Sequence, residues 1–448
     1  MKTYPRFSQF NLVIRHEDRV LATNTLSGGT YEIDEKIAHI LEEGNVDNLP
    51  HDWVADLIEK GFIISSAEED CEWEKAEYLH NYQKFTSSWL SCTLLLTMGC
   101  NLRCIYCYEG AGKVSSESLK ANDYDRVFNF LTDRLQNYRL AGLSLCLFGG
   151  EPWLQLKEAR FFLGRLKSFC SAHNLGFITD IVTNGTLVDD EGIELLTQIN
   201  CQHIQITLDG TKEVHDRRRI GPQGEGSFDD TLAGIAKLVL SPLPNPSLRI
   251  NVDKSNLQAV RPLLQLLQEK GLGCCSVNFG IVKGNTEHCC DYEGCCFNEE
   301  EVGDALEQLW AVAREEGFQI HVAPSLKYSY CGMMGLQAFT ITPDLKVYKC
   351  WDFVNDPHHQ IGRINEKGEL VDPTPAYYRW MTRSPANMAQ CRDCAYVPVC
   401  GGGCGGMAGS DELTYRKPCC FKIKGVFEKE VLARFAGVLH EGTKELQC

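Results

Sequence analysis

The chain lacks long apolar stretches. Its longest, such as Leu94–Leu96 and Leu143–Phe148, fall far short of the ~20 residues a membrane-spanning helix needs, so no membrane partner is expected. Met1 to Asp18 mixes charge with aromatics around no continuous apolar core and does not read as a signal peptide. Basic charge is also scarce. Against 60 Asp and Glu stand 44 Lys and Arg, a net charge of −16, which argues against a nucleic-acid partner. With 44% hydrophobic and 23% charged residues, a disordered or fibrous chain is excluded. What is abundant is cysteine, 23 of 448 residues. In a chain expected to stay in the reducing cytoplasm, thiols rarely pair as disulfides. So many of them point to metal or cluster ligation where their spacings agree. Cys71, Cys92, Cys146, Cys170 and Cys201 stand apart within apolar or helical patterns and read as small buried hydrophobes.

The length suggests about three domains at ~150 residues each. Residues 1–80 read as a winged-helix-like α+β module. Strands Phe10–Arg15, Arg19–Asn24 and Thr30–Ile33 precede a helix from Asp34 to Gly44, a second from Pro50 to Lys60, and a third from Glu68 to about Gln83. Residues 81–91 are a linker. Over 92–321 the pattern alternates. Strands Thr93–Thr97, Leu143–Phe148, Phe177–Thr183, His203–Leu208, Leu248–Val252 and Ser276–Ile281 are separated by helical stretches, the mark of an α/β parallel sheet curled into a partial (β/α)6 barrel or left open. Over 322–448 regularity fades into a glycine- and cysteine-rich, loop-rich domain closed by a helix from about Lys422 to His440.

Chemistry concentrates where strands end. Just after the first barrel strand comes Cys100-Asn101-Leu102-Arg103-Cys104-Ile105-Tyr106-Cys107. Three thiolates so spaced can wrap one corner of a cubane iron–sulfur cluster; a closed cluster takes four, so three leave one iron open. Structural zinc also wants four ligands. The second strand ends in Phe148-Gly149-Gly150-Glu151-Pro152, where paired glycines admit close approach and Glu151 can accept hydrogen bonds from an ammonium. Thr183-Asn184-Gly185-Thr186 and Thr207-Leu208-Asp209-Gly210 follow the third and fourth strands. His215-Asp216-Arg217-Arg218-Arg219 follows, read either as part of the site or as a solvated basic turn.

These motifs resemble the radical S-adenosylmethionine (SAM) enzymes, whose signature C-x3-C-x-aromatic-C is met at Cys100, Cys104, Tyr106 and Cys107. The resemblance implies a [4Fe-4S] cluster whose open iron chelates SAM, and a 5′-deoxyadenosyl radical that abstracts hydrogen from substrate. It further implies that Glu151, with the Gly149-Gly150 backbone, holds the methionine amine. Thr183, Asn184, Thr207, Asp209 and Arg219 become candidates for the ribose and carboxylate. The C-terminal run Cys391-x2-Cys394-x5-Cys400-x3-Cys404, then Cys419 and Cys420, resembles the SPASM pattern of auxiliary-cluster radical SAM enzymes. Cys331-x13-Leu345-x4-Cys350 fits its first half, with Leu345 where glycine is usual. By that resemblance two further [4Fe-4S] clusters are expected, making three. One takes Cys391, Cys394, Cys400 and either Cys419 or Cys420. The other takes Cys331, Cys350 and Cys404 and is one ligand short, since Gln337 stands where some relatives have a fourth. It is expected to be open, to a substrate thiolate for instance, or filled by a spare cysteine from the 289–296 group. The adjacent pairs Cys274-Cys275, Cys289-Cys290 and Cys295-Cys296 find no place in the pattern.

The N-terminal module resembles the recognition domain of enzymes that modify ribosomally made peptides, in which a leader peptide adds as a strand to a sheet edge. Together these resemblances imply a cytoplasmic radical SAM/SPASM oxidoreductase. Its substrate would be a precursor peptide with a leader, its electron donor a flavodoxin or ferredoxin, its product a cross-linked peptide. The alternative is a sulfatase-type maturase that makes formylglycine from Cys or Ser; Asp352, two residues after Cys350, sits near where that group keeps a basic aspartate.

Overall fold

A computed structural model describes residues 4–110, 113, 115–284, 289–320, 322, 324–408 and 414–440. They form two compact units, residues 1–86 with 322–334 and 382–448, and residues 87–321 with 335–381.

In the first unit a short strand β1 (Arg6–Phe7) precedes an antiparallel meander, β2 (Asn11–His16), β3 (Arg19–Asn24) and β4 (Thr30–Ile33), in the order β2-β3-β4. Side chains alternate across the strands, and both faces are covered. Val20 and Ala22 pack with Ile37, Ala38 and Leu57, while Leu21 and Ile14 pack with Val399, Phe427 and Val431. The first helix is Glu35–Glu43. Asp34 caps it by accepting from the Ile37 N–H, and Gly44, at φ 78°, ends it. After the second helix, His51–Glu59, β5 (Ile63–Ile64) pairs antiparallel with β1. The third helix, Glu72–Phe85, starts later than the acidic run suggested. Asp70 and Glu72 instead bind the Arg6 guanidinium at 2.5 and 2.6 Å. The C-terminal helix is Val426–His440.

This grouping departs from the boundaries at 80 and 322. Phe10, Leu26 and Ala76 share one apolar core with Met388, Cys391 and Val397, so the N-terminal module and the C-terminal cysteine segment are one body.

The second unit is built on β6 (Trp89–Thr97), β7 (Gly142–Gly149), β8 (Gly176–Thr183), β9 (Cys201–Thr207), β10 (Ser247–Val252) and β11 (Ser276–Ile281), parallel and in sequential order. Helices Ala121–Asn137, Arg160–Ala172, Asp190–Gln198, Phe228–Val239 and Val260–Glu269 connect them. On the other side of β6 the sheet continues through β12 (Ala338–Ile341), parallel to β6, then antiparallel β13 (Lys346–Tyr348), β14 (Gln360–Ile364) and β15 (Leu370–Val371). The sequence placed these strands in the loop-rich domain. Ala338 to Ile341 is a run of only four, every residue buried, too short to stand out between glycines and cysteines. The turn into β13 forms around Leu345, at φ 61°, which is itself buried; its packing offsets the ~1–2 kcal/mol a left-handed non-glycine residue costs.

Of the five scattered cysteines, Cys92, Cys170 and Cys201 are buried as expected, Cys146 is half-buried, and Cys71 is exposed. No helix of the described residues is long and apolar enough to cross a membrane.

Candidate active site

The first three cysteines lie on the loop that leaves β6. Two glycines let the end of β7 press onto that loop. A Cβ on Gly149 would stand 2.3 Å from the Thr97 carbonyl oxygen, and one on Gly150 2.3 Å from that of Gly99. Gly150 and Glu151 donate their N–H groups to those same carbonyls, each at 2.9 Å. Glu151 is wholly buried. Its carboxylate accepts from Thr183 Oγ1 at 2.6 Å, the Asn184 N–H at 2.7 Å and the Trp153 N–H at 3.0 Å, tying the end of β7 to the end of β8. A carboxylate offers about four acceptor positions, so one remains for a ligand donor. Desolvation raises the Glu151 pKa, and these three bonds pull it back.

Asn184 carries the link onward. Its Nδ2 donates to Asn101 Oδ1 at 2.9 Å and lies 3.9 Å from Cys100 Sγ. Asn101 in turn donates to Thr186 Oγ1 at 2.8 Å. Asn101 and Thr186 are site residues that the motif reading passed over.

A second network lies beneath Cys104. The Tyr106 hydroxyl donates to Asp209 and accepts from Arg219 Nη1 at 2.8 Å. Asp209 also takes the Asn251 N–H at 3.3 Å and Arg218 Nε at 3.4 Å, and Arg218 pairs with Asp253 at 2.6 Å. Thr207, at the end of β9, makes no side-chain hydrogen bond among the described residues. His215, Arg218 and Arg219 are all buried, on or beside the helix Lys212–Arg218. Of the two readings of this segment, the solvated turn holds for the exposed Arg217 but not for His215, Arg218 and Arg219. The Arg218 charge is paired with Asp209 and Asp253, acids that lie on other strands' ends and are invisible in the local sequence. His215 bonds Ser227 Oγ at 3.0 Å, and burial, then Arg219 and Arg218, push its pKa down to about 2; the imidazole is neutral.

Asp352 follows Cys350 on the short helix Trp351–Phe353 and is half-buried. Near it is a residue the sequence reading missed, Glu109, two positions after Cys107. It is 4% exposed, its Oε1 has no hydrogen-bond partner among the described residues, and burial, then Asp352, raise its pKa to about 8. The signal was the Tyr108-Glu109 pair that extends the cysteine run.

The donor set suits a cluster. Cys100 lies in the electrostatic field of Cys104 and Cys107, and desolvation raises its pKa to about 12; irons reverse that penalty by taking the thiolate's charge. The buried Arg219 Nε has no partner among the described residues and is a donor for a ligand anion. Among the described residues no three His, Cys, Asp or Glu side chains converge on a single metal ion. A cubane spreads its thiolates over separate irons and needs no such convergence.

In the other unit Cys391 and Cys400 are buried, and Cys331, Cys394, Cys404, Cys419 and Cys420 half-buried. Arg383 is buried with them, its Nη atoms held by the carbonyls of Tyr415, Gly402 and Lys417 at 2.5, 2.7 and 2.9 Å. Of the adjacent cysteine pairs, Cys274 is exposed, Cys275 and Cys289 are buried, and Cys295 and Cys296 half-buried; the side chain of Cys290 lies outside the described residues.

The family model of the radical SAM superfamily matches residues 94–267. Those residues form a radical SAM domain. The chain spans about 40% of the length of the first curated relatives it matches. One is an Fe-coproporphyrin III synthase of Methanosarcina barkeri, 29% identical over 39% of this chain and 40% of that protein. Longer matches include maturases. The mycofactocin maturase of Mycobacterium ulcerans is 24% identical over 69% of this chain and 81% of its own. A cysteine-type anaerobic sulfatase-maturating enzyme of Clostridium novyi is 24% identical over 68% and 84%. Among solved structures, Streptococcus suis SuiB bound to its precursor peptide SuiA shares the fold, with a TM-score of 0.53, 14% identity, and coverage of 92% of this chain and 99% of that one.

Proposed function

We propose that this protein is a radical SAM/SPASM maturase that takes hydrogen from a residue of a ribosomally made precursor peptide and leaves a cross-link, thioether or carbon-based, in it. The observation that carries the reading is the double anchoring of the cysteine loop at the ends of parallel strands: Asn184, held by the buried Glu151, bonds Asn101, and Tyr106 bonds Asp209 and Arg219. With SAM bound, a cluster on Cys100, Cys104 and Cys107 supplies the 5′-deoxyadenosyl radical. The chain's own residues do the rest. Arg219, with a spare Nε donor, takes the methionine carboxylate, and Glu151 with Gly149 and Gly150 faces the amine. Thr183, Asn184, Thr207, Asp209 and Tyr106 shape the ribose side, and the buried glycine–carbonyl contacts fix the loop. Cys331, Cys350, Cys391, Cys394, Cys400, Cys404 and one of Cys419 and Cys420 would hold two auxiliary clusters, whose redox chemistry would take up the second electron of the coupling. The edge of the β2-β3-β4 sheet receives the leader as an added strand. A cytoplasmic location and a flavodoxin- or ferredoxin-type donor belong to this reading.

The test is anaerobic incubation of reconstituted protein with SAM and dithionite, then with a precursor peptide encoded beside it. Release of 5′-deoxyadenosine together with a peptide lighter by two hydrogens per cross-link is the expected result. Absence of 5′-deoxyadenosine would overturn it. The placement of Asp352 near Glu109 favours one second reading, a sulfatase-type maturase; its product is an aldehyde that a hydrazide probe captures, and a cross-linked peptide is not.

A further inference from the structure

We propose that the adjacent cysteines Cys419 and Cys420 ligate different clusters, Cys420 the one on Cys391, Cys394 and Cys400, and Cys419 the one on Cys331 and Cys404. The inference rests on the two auxiliary clusters of the proposed function and goes beyond them in dividing their ligands. The sequence leaves open which of the pair is used; the proposal uses both.

The backbone makes the division. Cys419 is extended and bridged in parallel to Gly403, with its N–H on the Gly402 carbonyl at 3.2 Å. Along an extended segment successive side chains point to opposite sides, so two neighbouring thiols there address two different places. The approach is close enough to need glycine. A Cβ on Gly403 would lie 1.7 Å from the Cys419 carbonyl oxygen, and Gly401, Gly402 and Gly403 all hold positive φ, 58°, 86° and 77°. Arg383 locks the two segments together, since its three carbonyl acceptors come from Gly402 on one and from Tyr415 and Lys417 on the other.

The thiol neighbourhoods divide in the same way. After burial, the strongest influence on Cys400 is Cys420, followed by Cys391 and Cys394, and Cys391 is influenced by Cys394 and Cys420. Tyr330, beside Cys331 in sequence, is influenced after burial by Cys404, then Cys419 and Cys331, ahead of Cys400. Arg383 lies between the sets, in the field of Cys404 and Cys419 on one hand and Cys391 and Cys400 on the other, where its cation complements thiolates of both. With the Cys350 that the resemblance implies, the ligands proposed for the Cys331 cluster then number four. That cluster is closed by the protein and has no iron free for a substrate thiolate.

The experiment uses the full chain carrying C100A, C104A and C107A, reconstituted anaerobically, so that only auxiliary iron is seen by iron analysis and electron paramagnetic resonance. Pairs within one cluster, C419A with C331A and C420A with C391A, are each expected to keep about half of the auxiliary iron. The cross pair C419A with C391A is expected to lose nearly all of it. A cross pair that keeps half, with C419A and C331A losing all, overturns the assignment. Should the double variants not fold, cyanide added to the triple-alanine protein decides. An unchanged resonance signal supports two closed clusters, and a shifted one shows an open iron and overturns them. A triple-alanine protein with no auxiliary iron at all overturns the two-cluster reading itself, a failure distinct from a wrong division of ligands.

Discussion

Arg219 and His215 sit four residues apart on one buried turn, and their chemistry points in opposite directions. Arg219 keeps its charge in the protein because Cys104, Tyr106 and Asp209 surround it. Its planar fork spends one nitrogen on Tyr106 and leaves Nε unpartnered among the described residues. Lysine preserves the charge but not the fork. R219K is therefore expected to weaken SAM binding by about tenfold or more, roughly 1.4 kcal/mol, while iron content after reconstitution stays at the parent level. Equal SAM affinity, measured by titration, would remove Arg219 from the ligand's shell. His215 is held neutral down to about pH 2, whereas in the unfolded chain it titrates near ~6.5. Above that value both states are neutral and His215 adds no pH dependence. Below it only the unfolded state takes up the proton, so stability falls as pH falls, by ~1.4 kcal/mol per unit. H215Q retains groups for Ser227 and the Asp209 N–H. It is expected to cost ~1–2 kcal/mol near neutral pH yet to lose about 1.4 kcal/mol less than the parent between about pH 7.5 and 5.5. Denaturant melts at the two pH values check this, and parallel losses would show that the imidazole is not buried neutral.

At the scale of elements, two glycines give opposite expectations. Gly150 sits where β7 meets the cysteine loop, with a Cβ position 2.3 Å from the Gly99 carbonyl oxygen. G150A must push strand and loop apart, at ~1–3 kcal/mol, and cluster retention should fall with it. Gly164 lies inside the helix Arg160–Ala172 with nothing within 4 Å of its Cβ position. G164A should raise the melting temperature, by the ~0.5–1 kcal/mol that glycine costs a helix. A destabilised G164A, or a G150A that holds iron as well as the parent, would contradict the packing described. The same elements show what the sequence could disclose. β6 to β11 were readable to within a few residues because parallel strands covered on both faces are near-continuous apolar runs, as in Leu143 to Phe148. The cysteine loop was readable because its spacing is chemical rather than conformational. The helix Lys212–Arg218 was not, since its Arg218 is buried against acids 9 and 35 residues distant. β12 escaped because four residues carry too little periodicity to weigh against the surrounding turns.

For the whole molecule, the grouping of residues 1–86 with 382–448 changes how leader recognition must be tested. Deleting residues 1–80 would strip Phe10, Leu26 and Ala76 from the core that contains Cys391, and Ile14 and Leu21 from the face against Val399, Phe427 and Val431. Several fully buried side chains at ~1.5–3 kcal/mol each exceed the margin by which most domains are folded. The truncated chain is therefore expected to lose auxiliary iron, and a loss of precursor binding in it would say nothing about the leader. The sheet edge offers a cleaner probe. Among the described residues β4 pairs only with β3, and the Asn24 N–H bonds the Gly29 carbonyl at 2.9 Å. Since opposite residues alternate between bonded and unbonded pairs, the main-chain groups of Thr30 and Glu32 turn to the outer edge. Proline is tolerated on an edge strand when its missing N–H faces outward, and the exposed Glu32–Arg19 pair lost with it contributes little. E32P is thus expected to keep full auxiliary iron and a near-parent melting temperature, and to weaken affinity for a full-length precursor by about tenfold, the equivalent of one charge-free main-chain hydrogen bond. Unchanged affinity in a folded, iron-replete E32P would place the leader elsewhere than on β4.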